Sequence, residues 1–253
     1  MTPEVVSVLQ AAIAGGYLLA ALLILSKRES YRHSVALLTV IVVVHFMLLV
    51  LRGLMQGQLP IVTRYEDLTT DSLFVAVVYL SIQWRWRELR RPAALMLVVA
   101  AGTAACALYY GQDFYPWTPS LRSIWLTLHA PLNALAIALG SFCASVALLG
   151  AKEQMRSCAR ILWWVLLLWL AMLATGSYWA YLAWGRFWGW DSIESWSLAT
   201  GLAYASVCHR LLSPSADIAV VSRWALIPFV MMLFTTYGLL LVRYSMHGQY
   251  YFR

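Results

Sequence analysis

Charge is scarce in this chain. Asp, Glu, Lys and Arg make up 11% of its 253 residues, against an apolar share of 62%. A water-soluble domain carries roughly a quarter of its residues as charges, so the deficit excludes an ordinary soluble globular protein. Cysteine is scarce too. The full set is Cys106, Cys143, Cys158 and Cys208, with no Cys-x-x-Cys pair. That absence excludes a zinc knuckle, a thioredoxin-type redox site and a Cys-x-x-Cys-His haem attachment site. The first residues, Met-Thr-Pro-Glu, lack a basic run, and no Ala-x-Ala site follows the first apolar stretch; a cleaved signal peptide is not expected. No internal repeat, low-complexity run or Pro/Ser linker is present, so a single integral membrane domain over residues 1–253 is expected.

What fills the chain instead is long apolar sequence. Mean hydropathy is +0.72, and stretches near the length that crosses a bilayer, about 20 residues, recur. Eight such segments are drawn at 5–26, 34–51, 72–84, 93–110, 124–150, 161–183, 197–212 and 224–242. The expected fold is all-α, a polytopic membrane helix bundle of about eight transmembrane helices. The polar stretch from Arg52 to Asp71, ahead of the short third segment, is expected to dip into the membrane as a re-entrant piece.

Loop charges give an orientation. One set of loops holds Lys27, Arg28, Arg32, Arg85, Arg87, Arg90, Arg91, Lys152, Arg156, Arg160, Arg210 and Arg223, twelve of the 18 basic residues. The other face keeps Arg52, Arg64, Arg122, Arg186, Arg243 and Arg253 with most of the acids. The first set is expected in the cytoplasm, with both termini outside. Topology thus accounts for the formal charge of +7 and calls for no nucleic acid. None of the four cysteines falls in an outer loop, so structural disulfides are not expected.

Five histidines are present. His129 falls at the outer end of the fifth segment and His247 just past the outer end of the eighth. His45 lies about 16 Å into the second segment and His209 about 20 Å beyond the outer turn that precedes its helix, taking about 1.5 Å per residue. Ionisable side chains at such depth are rare and functional as a rule. His33 sits in a basic loop and reads as solvated. A lone membrane histidine is about as often a helix-to-helix hydrogen bonder as a ligand, and an interfacial one is ordinarily a polar anchor. Four histidines in an outer and an inner pair read differently, because two imidazoles satisfy a six-coordinate haem iron.

The turn from Trp184 to Trp196 is the most specific feature. It reads Trp-Gly-Arg-Phe-Trp-Gly-Trp-Asp-Ser-Ile-Glu-Ser-Trp, and with Trp179 it gathers five of the chain's 13 tryptophans. An interfacial aromatic belt would spread tryptophans over all helix ends. Indoles clustered on a glycine-flexed turn instead suggest a platform for a large planar ligand, formed by Trp179, Trp184, Trp188, Trp190 and Trp196 with Asp191. Asp191 and Glu194 are expected to cap the following helix, where an acid suits the N-terminus.

The Trp-Gly-x-x-Trp-x-Trp-Asp core of this turn resembles the tryptophan-rich WWD signature of the haem-handling proteins of cytochrome c maturation. Three further stretches resemble the CcsA (ResC) type of the system II pathway: Arg52 through Leu68 with Gly57-Gln58-Leu59-Pro60 and Tyr65-Glu66, Ser123 through His129, and Met246-His247-Gly248. Two positions depart from the pattern, with Ser192-Ile193 in place of Pro-Lys and Gln58 in place of a histidine. These departures weigh against full synthase activity more than against haem binding.

The resemblance implies that His129 and His247 are external axial ligands holding haem b non-covalently over the platform, and that His45 and His209 are intramembrane ligands. Arg64, Arg122, Arg186 and Arg243 are candidates for the propionates, although a structural or topological role suits any one of them as well. Haem would pass from the cytoplasmic side to the outer face and be presented to the Cys-x-x-Cys-His segment of an apocytochrome c. The chain would then be the haem-binding component of a holocytochrome c synthase (haem lyase). Implied partners are a CcsB (ResB)-type membrane protein and a thiol-reducing thioredoxin-like protein. The implied location is the bacterial cytoplasmic (inner) membrane or the thylakoid membrane, with the active site on the periplasmic or lumenal face. Two other readings of the residues stay open: a bis-histidine di-haem subunit passing electrons from quinol, and a small-solute transporter.

Overall fold

The computed structural model describes residues 3–26, 31–111 and 121–239. Among them the protein is helical, with no strand. It comprises α1 (Pro3–Leu25), α2 (Tyr31–Gln56), α3 (Arg64–Arg85), α4 (Met96–Ala107), α5 (Ile124–Leu149), α6 (Lys152–Trp184), α7 (Ser192–Leu211), α8 (Ile218–Trp224) and α9 (Leu226–Leu233). All eight apolar segments are helical over their described parts. Among the described residues, five stretches are long and apolar enough to cross a membrane: Glu4–Leu25, Arg32–Gln56, Ile124–Leu149, Lys152–Trp184 and Ile218–Gly238. The protein is an integral membrane protein. Helix α3 has the length, at 22 residues, but its polar first turns lower its hydropathy. Helix α4 has only 12 residues. The chain divides into two compact units, residues 1–117 and 118–253, which are taken in turn.

In the first unit α1 packs on α2 and α4, and α3 on α4. Small residues allow close approach between helices where lipid supplies no hydrophobic drive. A Cβ at Gly16 would lie 2.7 Å from Ile41 Cδ1. Buried polar groups answer one another across these contacts. Gln10 Nε2 donates to the Ala104 carbonyl at 3.1 Å, the Tyr65 hydroxyl to Gln10 Oε1 at 3.2 Å, and Ser72 Oγ to the Ala100 carbonyl at 2.7 Å.

The expected re-entrant stretch from Arg52 to Asp71 takes another form. Helix α2 continues to Gln56, and α3 starts at Arg64, leaving only a short connection. Gly57, at φ +64°, turns the chain out of α2 as a left-handed residue after a helix commonly does. Glu66 explains why the polar residues can be helical. Fully buried, its carboxylate accepts Arg52 Nε at 2.6 Å, Gln56 Nε2 at 2.7 Å, and the backbone N–H groups of Val62 and Thr63 at 2.9 and 3.1 Å. Thr63 Oγ1 in turn accepts the Glu66 N–H at 3.2 Å, completing a capping box.

In the second unit α5 and α6 form a hairpin through Gly150 and Ala151. The core side of α5 is built of small side chains, with Ala134, Ala136, Ala138, Ala144 and Ala147 all buried. Helix α6 runs 33 residues, about 50 Å at 1.5 Å per residue, so it exceeds a hydrocarbon core of about 30 Å. Trp169 on α6 donates Nε1 to the Ser197 carbonyl of α7 at 2.9 Å. The eighth segment is interrupted at Ala225 and contains a π turn, Phe234–Gly238. All four cysteines are free thiols.

Breaking a buried ion pair by truncating one partner costs about 3–5 kcal/mol. Glu66→Ala is expected to destabilise the detergent-solubilised protein by that amount in an unfolding titration followed by circular dichroism, and Glu66→Gln by less.

Candidate functional site

The tryptophan turn lies in the second unit, and its conformation follows from a few local bonds. Gly185 ends α6 at φ +75°, a left-handed cap that glycine adopts without steric cost. Its N–H donates to the Tyr181 carbonyl at 2.8 Å. Asp191 caps α7, its Oδ1 accepting the Glu194 N–H at 2.8 Å. Glu194 reaches back, and its Oε2 accepts the N–H groups of Gly189 at 2.6 Å and Asp191 at 3.3 Å. The capping expected of these two acids is therefore present. Between them Trp190 stands at φ +57°, a left-handed conformation that is uncommon for a bulky residue.

The aromatic rings do not lie in one plane. Trp179 and Trp184 meet with centroids 5.0 Å apart at 64°, Trp188 and Trp190 at 5.9 Å and 82°, and Trp196 meets Phe234 of the π turn at 4.9 Å and 72°. Edge-to-face pairing, which the ring quadrupole favours, prevails among these indoles. The parallel pair here is Tyr181 with Phe187, at 4.4 Å and 6°. Trp179 is buried, whereas Trp190 is 70% exposed and Trp196 40%. The indole Nε1 of Trp188 is buried with no hydrogen-bond partner among the described residues. Arg186 is exposed and folds over Gly189, where a Cβ would lie 2.8 Å from its guanidinium carbon.

His129 stands in the second turn of α5, half-buried. Its Nδ1 lies 2.9 Å from the Met172 carbonyl of α6. A carbonyl only accepts, so Nδ1 carries the proton and the neutral ring keeps its lone pair on Nε2. A hydrogen bond of this kind fixes ring orientation and raises ligand basicity in metal-ligating histidines. Gly176 makes the contact possible, since a Cβ there would sit 2.6 Å from Nδ1. A ring chain of Trp125, Tyr178 and Phe187, at 4.6 and 6.1 Å, links the start of α5 to the turn. Arg122 lies just before α5 and is exposed. His247 and Arg243 fall outside the described residues.

In the first unit His45 is fully buried at mid-length in α2. Its Nδ1 is 2.8 Å from the hydroxyl of Tyr17 on α1, and its Nε2 has no hydrogen-bond partner. Arg64 is buried and paired with Asp67 at 2.6 Å. His209 belongs to the second unit, in the last turn of α7, and is exposed within that unit.

Sequence reasoning did not find Tyr17, Gly176 or the Met172 carbonyl. Tyr17 is 28 residues from its partner, and a backbone acceptor leaves no trace in side-chain identity. The small-residue run Ala174-Thr175-Gly176-Ser177 was the available signal for a close approach on α6.

Comparison with known proteins supplies the context. The family described as cytochrome C assembly protein matches residues 5–247. The chain belongs to that family. It is 27% identical over 212 residues to Protein NrfI of Wolinella succinogenes, an alignment covering 77% of this chain and 23% of that protein. Against the probable cytochrome c-type biogenesis protein NrfE of Escherichia coli it is 37% identical over 142 residues, 53% of this chain and 25% of the other. Against the cytochrome c biogenesis protein CcsA of a Synechococcus strain it is 27% identical over 207 residues, 64% of this chain and 67% of the other. The chain thus spans about a quarter of NrfI and NrfE and two thirds of CcsA. Membership of the cytochrome c assembly family supports a role in cytochrome c biogenesis.

Removing an N-cap acid costs about 1 kcal/mol. Asp191→Ala is expected to show that loss in an unfolding titration. Glu194→Ala should cost more, because two backbone N–H groups lose their acceptor, and it should quicken proteolysis between Trp184 and Trp196.

Proposed function

We propose that this protein binds haem as cargo on its outer face and presents it for covalent attachment to an apocytochrome c. The observation that carries the reading is the His129 contact with the Met172 carbonyl, which leaves Nε2 as the nitrogen able to ligate iron. Three features of the turn support it. Trp190 and Trp196 are exposed, the Trp188 N–H lacks an acceptor, and Arg186 is an exposed cation beside them. With edge-to-face indoles, the porphyrin would lie against one ring face at a time, not on a continuous floor. His247 would supply the second axial nitrogen. Arg186 and Arg122 are the propionate contacts favoured by exposure; Arg243 would be a further one, and the Arg64 guanidinium is engaged with Asp67.

His45 and His209 would ligate haem within the membrane. For His45 the support is a buried Nε2 without a partner on a ring held by Tyr17. The hydroxyl can accept from Nδ1–H as well as donate to Nδ1. Only the first arrangement frees Nε2 for a metal, so ligation would set the direction of this bond.

Each thioether forms by adding a cysteine S–H across a haem vinyl group. The step consumes no oxidant, but it requires reduced thiols on the apocytochrome. The protein's share is to orient the cargo, to occupy the iron's axial positions, and to keep the vinyl edge accessible. A CcsB (ResB)-type membrane protein and a thiol-reducing thioredoxin-like protein would complete the reaction system. The site would face the periplasm or lumen, with the cytoplasmic loops carrying the positive charge.

The full chain, purified with haem available, is expected to show a Soret band. His129→Ala and His247→Ala should weaken it and abolish c-type cytochrome accumulation in cells, with external imidazole restoring part of the loss. Gly176→Ala should mimic His129→Ala while leaving helix content unchanged. Absence of any Soret band in the wild type sinks the proposal. Normal cytochrome c maturation in a deletion strain, with haem still bound, favours an electron-transfer subunit instead.

A further inference from the structure

Four arginines stand close together at and just after the end of α3, at positions 85, 87, 90 and 91, and they have unlike surroundings. Arg85 sets its guanidinium carbon 5.6 Å from the centroid of the Trp86 ring. Arg90 donates Nε to the Gln83 carbonyl at 3.3 Å, and its own carbonyl accepts the Tyr79 hydroxyl at 3.0 Å. Leu89, Pro92, Ala93 and Ala94 are buried, so the turn is anchored from its inner side. Arg87 and Arg91 are exposed, and their side chains make no hydrogen bond or ion pair among the described residues.

These two arginines line a cavity of about 280 Å³, together with Glu88, Arg90 and the end of α1 at Leu23, Ile24 and Ser26. The last carbonyls of α1 do not draw the guanidiniums away. Ser26 takes two of them, through its N–H to the Leu22 carbonyl at 2.9 Å and its hydroxyl to the Leu23 carbonyl at 2.8 Å. Three cations against one carboxylate in a concavity focus a positive potential. Leu23 and Ile24 give the cavity an apolar wall. Trp84, 87% exposed, and Trp86, 38% exposed, mark the level, since tryptophans of this kind sit among lipid headgroups.

We propose that this cavity binds the phosphate of an anionic phospholipid headgroup, with Arg87 and Arg91 as its ligands. Two forked guanidiniums match the oxygens of a phosphodiester. The apolar wall suits the start of the acyl chains, and the Glu88 carboxylate can accept hydroxyl groups of a glycerol headgroup. Drug-sized ligands occupy about 300–1,000 Å³, so a cavity below that range takes a headgroup and excludes a porphyrin. The site belongs to the first unit and is independent of the haem-handling reading.

The test uses the full chain in detergent, titrated with phosphatidylglycerol, phosphatidylcholine or inorganic phosphate and read by native mass spectrometry. Wild type is expected to retain phosphatidylglycerol in preference to phosphatidylcholine. Arg87→Gln and Arg91→Gln should each weaken retention roughly fivefold at low salt, as expected for one cation at an anionic headgroup. Arg85→Gln, on the same turn but outside the cavity, should leave it unchanged. Arg87→Lys/Arg91→Lys keeps the charge and should retain the lipid less well than wild type. Equal retention of the two lipids by wild type overturns the proposal, whatever the variants do. So does an Arg85→Gln loss as large as that of Arg87→Gln, which would indicate diffuse charge, or inorganic phosphate binding as tightly as phosphatidylglycerol.

Discussion

A polar group buried away from water must find its partner inside the protein, and two carboxylates meet that constraint in the same way. Glu66 and Glu194 each occupy the third position of a helix that follows an inter-helix connection. Each closes a capping box, and each also takes backbone N–H groups from the connection itself. One side chain thus begins a helix and shapes the loop before it. In the first unit this lets Arg52 of α2 be buried, and Gln56 half-buried, beside the start of α3. In the second it holds a glycine-containing turn tightly enough to display bulky indoles.

The two described histidines with defined ring partners are oriented by different chemistry. Met172 presents a carbonyl to His129, which admits a single tautomer. Tyr17 presents a hydroxyl to His45, which admits either. The His129 ring is therefore set by its carbonyl partner, while the His45 ring can rearrange its proton if Nε2 is engaged. Under the proposed haem-handling role, a fixed ring and an adaptable one would differ in how firmly each holds.

The all-helical class was legible because long apolar runs have few alternatives, and the acid caps were legible because Asp191 and Glu194 stand three residues apart ahead of an apolar run. What failed to read through did so for local reasons. Arg52 to Asp71 looked too polar for helix because the ion pair of Arg52 with Glu66, between residues far apart in sequence, is invisible until the chain is folded. The tryptophan cluster announced a site but not its ring geometry, which depends on partners such as Phe234, distant in sequence from Trp196.

Trp190 adopts a backbone conformation that glycine would occupy at no cost. Left-handed placement of a bulky residue costs about 1–3 kcal/mol, so selection for stability alone would replace this tryptophan. At this position robustness is set against use: the turn trades folding free energy for an exposed ring in a turn held by the Glu194 clamp. A search for sturdier versions of this protein would therefore tend to erase the residue first, and thermal tolerance would be a misleading guide to fitness at this position.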